Sequence, residues 1–351
     1  MSNDADDRPP PAGTRGPHPF AALGPDEVLA ALESTGIACD GRLQALNSFE
    51  NRVYLVGLAD GPSCVAKFYR PNRWLDEQIL EEHRFALELV EAEIPVVAPE
   101  LLGNGSTLAE ANGFRFAVYP RQGGRSPELD NAYHGPSMRD RIGQFIARIH
   151  NVGARAPFFD RPEIGPLTYG HEPIAVIRES GMLPPELADS WLAIAAQCVE
   201  HVEARFDRCG GPTILRLHGD CHLGNLLWTD DGPHFVDLDD CRMGVAMQDL
   251  WMLADAGRDG TGQFIEVPRE LEELLEGYEK LRPFDRRELT LVEALRTLRM
   301  IHYCAWLVQR WDDPAFPAAF PWFNTQRYWQ DRILELREQV ALMDEPPLWP
   351  V

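Results

Sequence analysis

Between residues 42 and 120 the chain reads as short apolar and β-branched runs separated by turn residues. Residues 42–46 and 53–58 have the length and make-up of strands, and Asp60-Gly61-Pro62 is the turn signal leading into a third at 63–69. From Trp74 to Val90 the pattern changes, with apolar residues at 75, 79, 85, 86, 89 and 90 forming one stripe along a helix. Residues 114–119 read as a further strand, closed by Pro120 and the Gly123-Gly124 pair. Helical spacing also covers 20–32, ahead of the strands. Beyond residue 120 helical periodicity dominates, at 140–150, 185–206, 271–281 and 287–311. One stretch interrupts it: 213–217, 226–228 and 234–238 are short strand-like runs flanking the most polar cluster of the sequence. No repeat of solenoid or propeller period is present.

A small sheet with one helix thus precedes a mostly helical remainder. The chain's 351 residues fit about two domains, or one domain with two lobes. The division expected is a tail at 1–19, a lobe at 20–120 and a second lobe at 121–351. Three aspartates, five prolines and two glycines within 1–19 leave almost nothing to bury, so that segment is expected to be disordered. Five of the nine tryptophans lie at or after residue 306, which anchors the C-terminal segment.

Composition narrows the function classes. With 44% apolar and 25% charged residues the chain is an ordinary globular one. No apolar run approaches the ~18 residues of a membrane span, and the N-terminus lacks a basic start and apolar stretch. A cytoplasmic protein is expected. Fifty-five acids against 33 Lys and Arg give a formal charge of −22. That surface repels nucleic acid and anionic membranes, but a locally positive cleft can still take a small anion. Seven cysteines without a CxxC pair suit reduced thiols.

The polar cluster reads Leu217-His-Gly-Asp-Cys-His-Leu-Gly-Asn-Leu226, then Asp237-Leu-Asp-Asp240 after a short gap. Asp220 sits on a tight loop where Gly219 permits unusual backbone angles. Asn225, five residues on, offers a neutral carbonyl oxygen, and Asp237, ending a short strand, offers a charged one. Mg²⁺ prefers such oxygens and is held by one or two carboxylates together with substrate phosphates. A hydroxyl-orienting Asp beside an Asn/Asp pair holding Mg²⁺ is the apparatus of phosphoryl transfer to an alcohol.

The Asp-x₄-Asn spacing followed by a strand-borne Asp resembles the catalytic loop and metal-binding Asp of the protein-kinase fold. The form HGDCHLGN with VDLDD is similar to the branch holding aminoglycoside phosphotransferases, choline kinases and homoserine kinases. Five stretches bring it closer to the bacterial stress response kinase A family of Ser/Thr protein kinases. They are SFENRVY (48–54), VAKFYRPNRW (65–74), RLHGDCHLGNLLW (216–228), VDLDDCRMG (236–244) and WDDPAFPAAFPWF (311–323). The resemblance implies an α+β, two-lobed protein-kinase-like fold, with a small antiparallel β-sheet N-lobe and a helical C-lobe. It implies an ATP- and Mg²⁺-dependent kinase acting on Ser/Thr of proteins, and on itself, with a part in stress survival; a monomer is expected. Asp220 would be the catalytic base, with Asp237 the second catalytic residue, and Asn225 and Asp237 would ligate Mg²⁺. Lys67 would contact the α- and β-phosphates and pair with Glu82, or with the adjacent Glu81, which the apolar stripe favours less. Ser48 and Asn51 would contact the nucleotide from the turn at 48–52. Ala117, Val118 and Tyr119 would form the hinge whose backbone meets adenine.

The departures from the kinase pattern also bear on function. No G-x-G-x-x-G is present to cover the phosphates, so side-chain donors of Ser48 and Asn51 are expected to stand in for glycine amides. Gly219 occupies the place of the Arg in HRD, and no A-P-E segment is evident. Rival readings attach to several residues. His218 and His222 with Cys221 and Cys209 invite a zinc reading, but Gly219 and the strand-like flanks argue against one helical face, and both imidazoles read better as loop braces. Cys221 reads as a packed thiol. Asp239 is left between metal ligand and structural acid, Asp240 is expected to satisfy loop amides, and Asp249 to cap or brace the helix it opens. The aromatic group Trp306, Trp311, Phe316, Phe320, Trp322 and Phe323 reads as core. Among whole-protein alternatives stand a small-molecule kinase for an amino alcohol or aminoglycoside and a catalytically inert ATP-binding scaffold.

Overall fold

The computed structural model describes residues 18–129, 131, 133–254 and 269–345. Residues 1–17 of the expected disordered tail, and Trp349, lie outside the described residues. The first helix, α1 (Pro25–Ser34), begins later than its spacing suggested. Proline is well placed only at a helix start, where its missing N–H is no loss, and Pro25 sets the boundary there. Three strands follow, β1 (Cys39–Ala45), β2 (Arg52–Leu58) and β3 (Cys64–Phe68), then helix α2 (Asp76–Glu91). Strands β4 (Ala109–Ala111) and β5 (Phe114–Pro120) complete a five-stranded antiparallel sheet in the order β1-β2-β3-β5-β4. The three-residue β4 is too short to leave a periodic signal in the sequence. Val28, Ala31 and Leu32 of α1 pack on one sheet face with Val56, Ala66, Phe68, Phe116 and Val118.

The remainder is built from helices α3 (Gly135–Gly153), α4 (Glu172–Ser180) and α5 (Pro185–Cys209), then strand β6 (Ile214–Leu217). The hairpin β7 (Leu226–Thr229) and β8 (Gly232–Phe235) follows, with β9 (Arg242–Val245) pairing back on β6. The run expected at 234–238 therefore starts two residues earlier and leaves strand geometry after Phe235. Helices α6 (Gln248–Trp251), α7 (Arg269–Glu279), α8 (Val292–Arg310), α9 (Ala315–Ala319) and α10 (Gln326–Asp344) complete the order. The single helix expected at 287–311 is divided, because Arg286–Leu291 forms a tighter 3₁₀ stretch ahead of α8. Helices α3 and α7 cross closely enough that glycine is required on both: a Cβ at Gly143 would lie 2.0 Å from the Leu274 carbonyl oxygen, and one at Gly277 2.0 Å from that of Asp140.

Two backbone joints bring the sheet half and the helical half together around the polar cluster. Phe235 of β8 donates to the Pro95 carbonyl at 2.8 Å and accepts from Val97 at 3.0 Å. Arg125, just past β5, exchanges two backbone bonds with Trp228 of β7, at 3.0 and 2.6 Å. The β7–β8 hairpin is therefore held by the sheet half along both of its strands, and the loops at its two ends carry Asn225 and Asp237. The largest helical-half core accordingly includes Phe85, Ala86 and Leu89 of α2.

Candidate active site

Lys67 lies mid-strand on β3, between Val53 of β2 and Ala117 of β5. Its ammonium stands 3.6 Å from Glu82 Oε1, 3.0 Å from Asp237 Oδ1 and 3.0 Å from Asp239 Oδ1. Burial alone would lower its pKa, but the three carboxylates outweigh it and hold the amine charged, well above its usual value. Glu82 also accepts from Arg161 Nη2 at 3.0 Å. Burial pushes the Glu82 carboxyl above its ordinary pKa, against the pull of Lys67. Glu81 points elsewhere, accepting the backbone amides of Phe159, Asp160 and Arg161 at 2.7, 3.0 and 2.9 Å. The choice left open by the sequence thus resolves to Glu82.

The loop after β6 is built around Gly219, whose φ of +86° is left-handed and where a Cβ would stand 2.1 Å from the Asp240 carbonyl oxygen. Asp249, buried on α6, corrects its expected capping role. Its Oδ2 accepts the His218 amide at 2.8 Å and its Oδ1 the Gly219 amide at 2.8 Å, while His150 Nε2 lies 3.1 Å away. One carboxylate therefore fixes the backbone immediately before Asp220. The His218 ring bonds the Val236 carbonyl at 3.0 Å, tying the loop to the residue preceding Asp237. The Cys221 thiol is buried and pushed well above its usual pKa by burial, as suits a packing residue.

Asp220 projects into the cleft with Arg299 Nη1 at 2.5 Å from Oδ1 and His222 Nε2 at 3.4 Å from Oδ2. Burial raises its pKa, but the His222 hydrogen bond and the Arg299 charge win and leave it at about 2. Asn225 donates from Nδ2 to the Asp220 carbonyl at 3.0 Å. That bond commits the amide nitrogen and leaves Oδ1 as the atom available to a cation. Asp237 has a positive φ of 59°, a left-handed conformation that Asp tolerates better than most non-glycine residues. Its side chain is 55% exposed beside Lys67.

The following acids differ from Asp237. Asp239 is buried against Lys67 and Arg73, which places it inside the protein's own ion-pair network. Asp240 corrects its expected role as an acceptor of loop amides: it pairs with Arg73 at 2.7 Å and Arg242 at 3.4 Å, which hold its carboxyl far below the usual range against the effect of burial.

The turn at 48–52 is organised by its own bonds. Ser48 Oγ donates to the Asn51 carbonyl at 3.1 Å, and the buried Asn51 accepts the Arg70 amide on its Oδ1 at 3.0 Å. Asn51 thus spends its carboxamide oxygen on shaping the turn, and the turn itself is bound to the helical half. Glu50 reaches Arg70 at 2.9 Å, Arg310 at 2.7 Å and Trp306 Nε1 at 2.5 Å. Asp313, buried in the WDDPAFPAAFPWF segment, accepts from Arg52 at 2.9 Å and Arg70 at 2.8 Å. Phe49 adds a ring contact to Phe320 at 5.1 Å. The aromatic group of this segment is largely core, with Trp322 partly outside it at 47% exposure. At the expected hinge, Ala117 and Val118 are wholly buried and the Val118 carbonyl accepts the Glu100 amide at 2.7 Å. The cleft wall there is formed by Tyr119, Pro120 and Gln122, one to three residues further on.

These groups line one cleft of about 960 Å³ that also contains Asp220, Asn225, Asp237 and Lys67. Among the described residues seven carboxylates and five Lys or Arg side chains border it. Added positive charge would favour a polyphosphate in a cleft with this balance, and Asn225 Oδ1 with the exposed Asp237 carboxylate supplies hard oxygen donors of the kind a Mg²⁺–phosphate complex requires. Among the described residues no group of three or more His, Cys, Asp or Glu side chains is arranged to hold a metal ion. The zinc reading of His218, His222, Cys221 and Cys209 therefore has no geometric support. Sequence reasoning missed Arg299, Arg73 and Asp313, each of which acts on a partner more than 70 residues away.

Comparison with known proteins fits this geometry. Residues 42–292 match the model of the phosphotransferase enzyme family, APH. Stress response kinase A of Escherichia coli strain K12 is 44% identical over 329 residues, covering 94% of this chain and 96% of that protein. A Salmonella typhimurium protein named serine/threonine protein kinase RdoA is 43% identical over 336 residues, with the same coverage of 94% and 96%. Among solved structures, amicoumacin kinase hAmiN in complex with AMP-PNP, Ca²⁺ and Ami superposes with a TM-score of 0.69 at 18% identity, covering 93% of this chain and 95% of that one. A microcompartment-associated aminopropanol kinase gives 0.65 at 17% identity, covering 90% and 96%.

Proposed function

The chain belongs to the phosphotransferase enzyme family and is a kinase, and from that premise we propose that it transfers the γ-phosphoryl group of ATP to serine or threonine of a protein, its own chain included. The observation that carries the reading is the lysine bridge: one ammonium meets Glu82 of the sheet half and Asp237 of the helical half at 3.6 and 3.0 Å. Lys67 is held charged, largely buried, in a cleft that the 48–52 turn, Tyr119, Pro120 and Gln122 also line, and this charge would meet the phosphates of a bound nucleotide.

Phosphoryl transfer depends on positioning and charge neutralisation more than on covalent chemistry by the protein. Asn225 Oδ1 and the Asp237 carboxylate are the atoms that would hold Mg²⁺, which supplies charge neutralisation at the β- and γ-phosphates when bound. Lys67, oriented by Glu82, contacts the inner phosphates. Asp220 accepts the acceptor's hydroxyl hydrogen bond and aligns its oxygen with the γ-phosphorus. Asp249 fixes the backbone immediately before Asp220, which sets where that carboxylate stands in the cleft.

A protein acceptor is supported by the relative named serine/threonine protein kinase RdoA, 43% identical over 94% of this chain. Seven free cysteines support a reducing, cytoplasmic setting. The test is transfer of labelled phosphate from ATP with Mg²⁺ to the chain itself, to generic protein, and to choline, homoserine and kanamycin. Label on protein alone is the expected result. Label on one of the small alcohols and none on protein would replace this reading with that of a small-molecule kinase.

A further inference from the structure

On the acceptor side of Asp220 the cleft wall is one face of α8, where Arg299, His302, Tyr303 and Trp306 follow at helical spacing. Across from them stand Thr168, Tyr169 and Glu172, from the turn preceding α4 and from α4 itself. A site that accepts a cationic alcohol needs carboxylates or open aromatic faces around the incoming ammonium. Along α8 the charged residues that line the cleft are Arg299 and Arg310, and the seven acids bordering the cleft lie on other elements. His302 stacks on Tyr169 with ring centroids 3.9 Å apart, so that aromatic face is already covered. Burial, followed by the charge of Arg242, pushes the His302 pKa to about 3, so the ring is neutral. Glu172 is an exposed acid at the rim. The charge nearest the base is Arg299, whose Nη1 lies 2.5 Å from Asp220 Oδ1 while 37% of its side chain remains exposed.

A guanidinium has five N–H donors in a planar fork and suits carboxylate or phosphate. One nitrogen of Arg299 serves Asp220, and the partly exposed side chain lines the same cleft, within reach of groups that flank an acceptor hydroxyl brought to Asp220. We propose that Arg299 selects acceptor hydroxyls flanked by anionic side chains, so that this kinase prefers serine or threonine set among aspartate and glutamate. The inference rests on the protein-kinase reading above and adds the acceptor's chemistry to it. The incoming anion draws the guanidinium fork from Asp220 Oδ1, which frees that carboxylate for the hydroxyl. The hydroxyl proton then passes to Asp220, the new oxygen–phosphorus bond forms, and the β,γ-bridging bond breaks with its electron pair leaving on ADP. Arg299 is a specificity and positioning residue in this scheme, and Asp220 remains the base.

Two synthetic peptides test the idea, each with one central serine, flanked on both sides by three aspartates in one and three lysines in the other. The full-length protein is expected to favour the acidic peptide by about tenfold or more in kcat/KM, the scale of one charge-assisted hydrogen bond. In Arg299→Gln that ratio should collapse towards one, chiefly through a raised KM for the acidic peptide, while Arg299→Lys should restore part of it. A purely structural role would lower both peptides together and leave the ratio unmoved. Equal use of both peptides by the parent, or an unchanged ratio in Arg299→Gln, overturns the proposal. So does autophosphorylation without transfer to either peptide, which leaves the kinase reading standing; no transfer to any protein or peptide removes that reading as well.

Discussion

Asp313→Asn isolates the contact that ties the 48–52 turn, proposed above to lie over the nucleotide, to the C-terminal aromatic segment. The parent carboxylate is 1% exposed and accepts from Arg52 with both oxygens, at 3.0 and 2.9 Å, from Arg70 at 2.8 Å and from the Ala315 amide at 3.1 Å. Asparagine keeps the volume but removes the charge that balances two guanidiniums, and it turns an NH₂ towards donors. Removing one partner of a buried pair costs about 3–5 kcal/mol, and the bonds that asparagine retains put this case near 3. Arg70 keeps Glu50 as a partner at 2.9 Å, whereas Arg52 keeps only backbone carbonyls of its own turn among its hydrogen-bond acceptors. The loss therefore falls on the 48–52 turn. The thermal midpoint should drop by roughly 4 °C, taking an unfolding entropy of about 2.1 cal/mol/K per residue over the 351 residues. ATP affinity, read by titration calorimetry with Mg²⁺, should weaken about tenfold or more, because the turn must then be ordered by the nucleotide. Asp312→Asn, at the exposed neighbouring position, is the control and should change stability by about 0.5 kcal/mol or less. An Asp313→Asn protein melting within about 1 °C of the parent, with unchanged ATP affinity, would refute the clamp.

Three further outcomes follow from other contacts. Asp249→Asn leaves one of the His218 and Gly219 amides facing an NH₂ group, so about 2–4 kcal/mol of stability should be lost together with most of kcat, as chemical denaturation and initial rates would show. Glu82→Gln removes the sheet-half anchor of Lys67 and a buried partner of Arg161, so kcat/KM for ATP should fall on the order of 10²-fold and the melting point should fall with it. Glu288 is buried and its pKa is pushed to about 7, by burial above all. The folded state thus holds this proton where the unfolded chain, near 4.5, has released it. Stability should decline as pH rises from about 4.5 to 7, by roughly 3 kcal/mol, and then level off. Denaturation midpoints of Glu288→Gln across that window should lack this slope.

Much of this arrangement was legible in the sequence because it is local. The strands around Lys67 alternate visibly, and Asp220, Asn225 and Asp237 stand at short fixed intervals in a polar island between apolar runs. Gly219 is explained by its own backbone angle. What escaped was long-range. Asp249 looks like a helix-opening acid, yet its oxygens serve amides 30 and 31 residues upstream, and the only hint was a carboxylate inside an otherwise apolar run. Asp240 beside Asp239 carries no sign that Arg73, well over a hundred residues earlier, neutralises both. The WDDPAFPAAFPWF segment reads as aromatic core, which most of it is. Its second function depends on Asp313 meeting Arg52 and Arg70 across more than 200 residues, which no periodicity encodes. The choice between Glu81 and Glu82 likewise turned on a rotation of α2 that only the packed structure fixes.

The account as a whole turns on Asp220 as the group that accepts the hydroxyl. Its most direct test compares parent and Asp220→Asn in a single-turnover assay with labelled ATP and Mg²⁺, with ATP binding measured calorimetrically on the same samples. The expected result is a loss of transfer by about three orders of magnitude or more at nearly unchanged nucleotide affinity. Transfer by Asp220→Asn at the parent rate would contradict it.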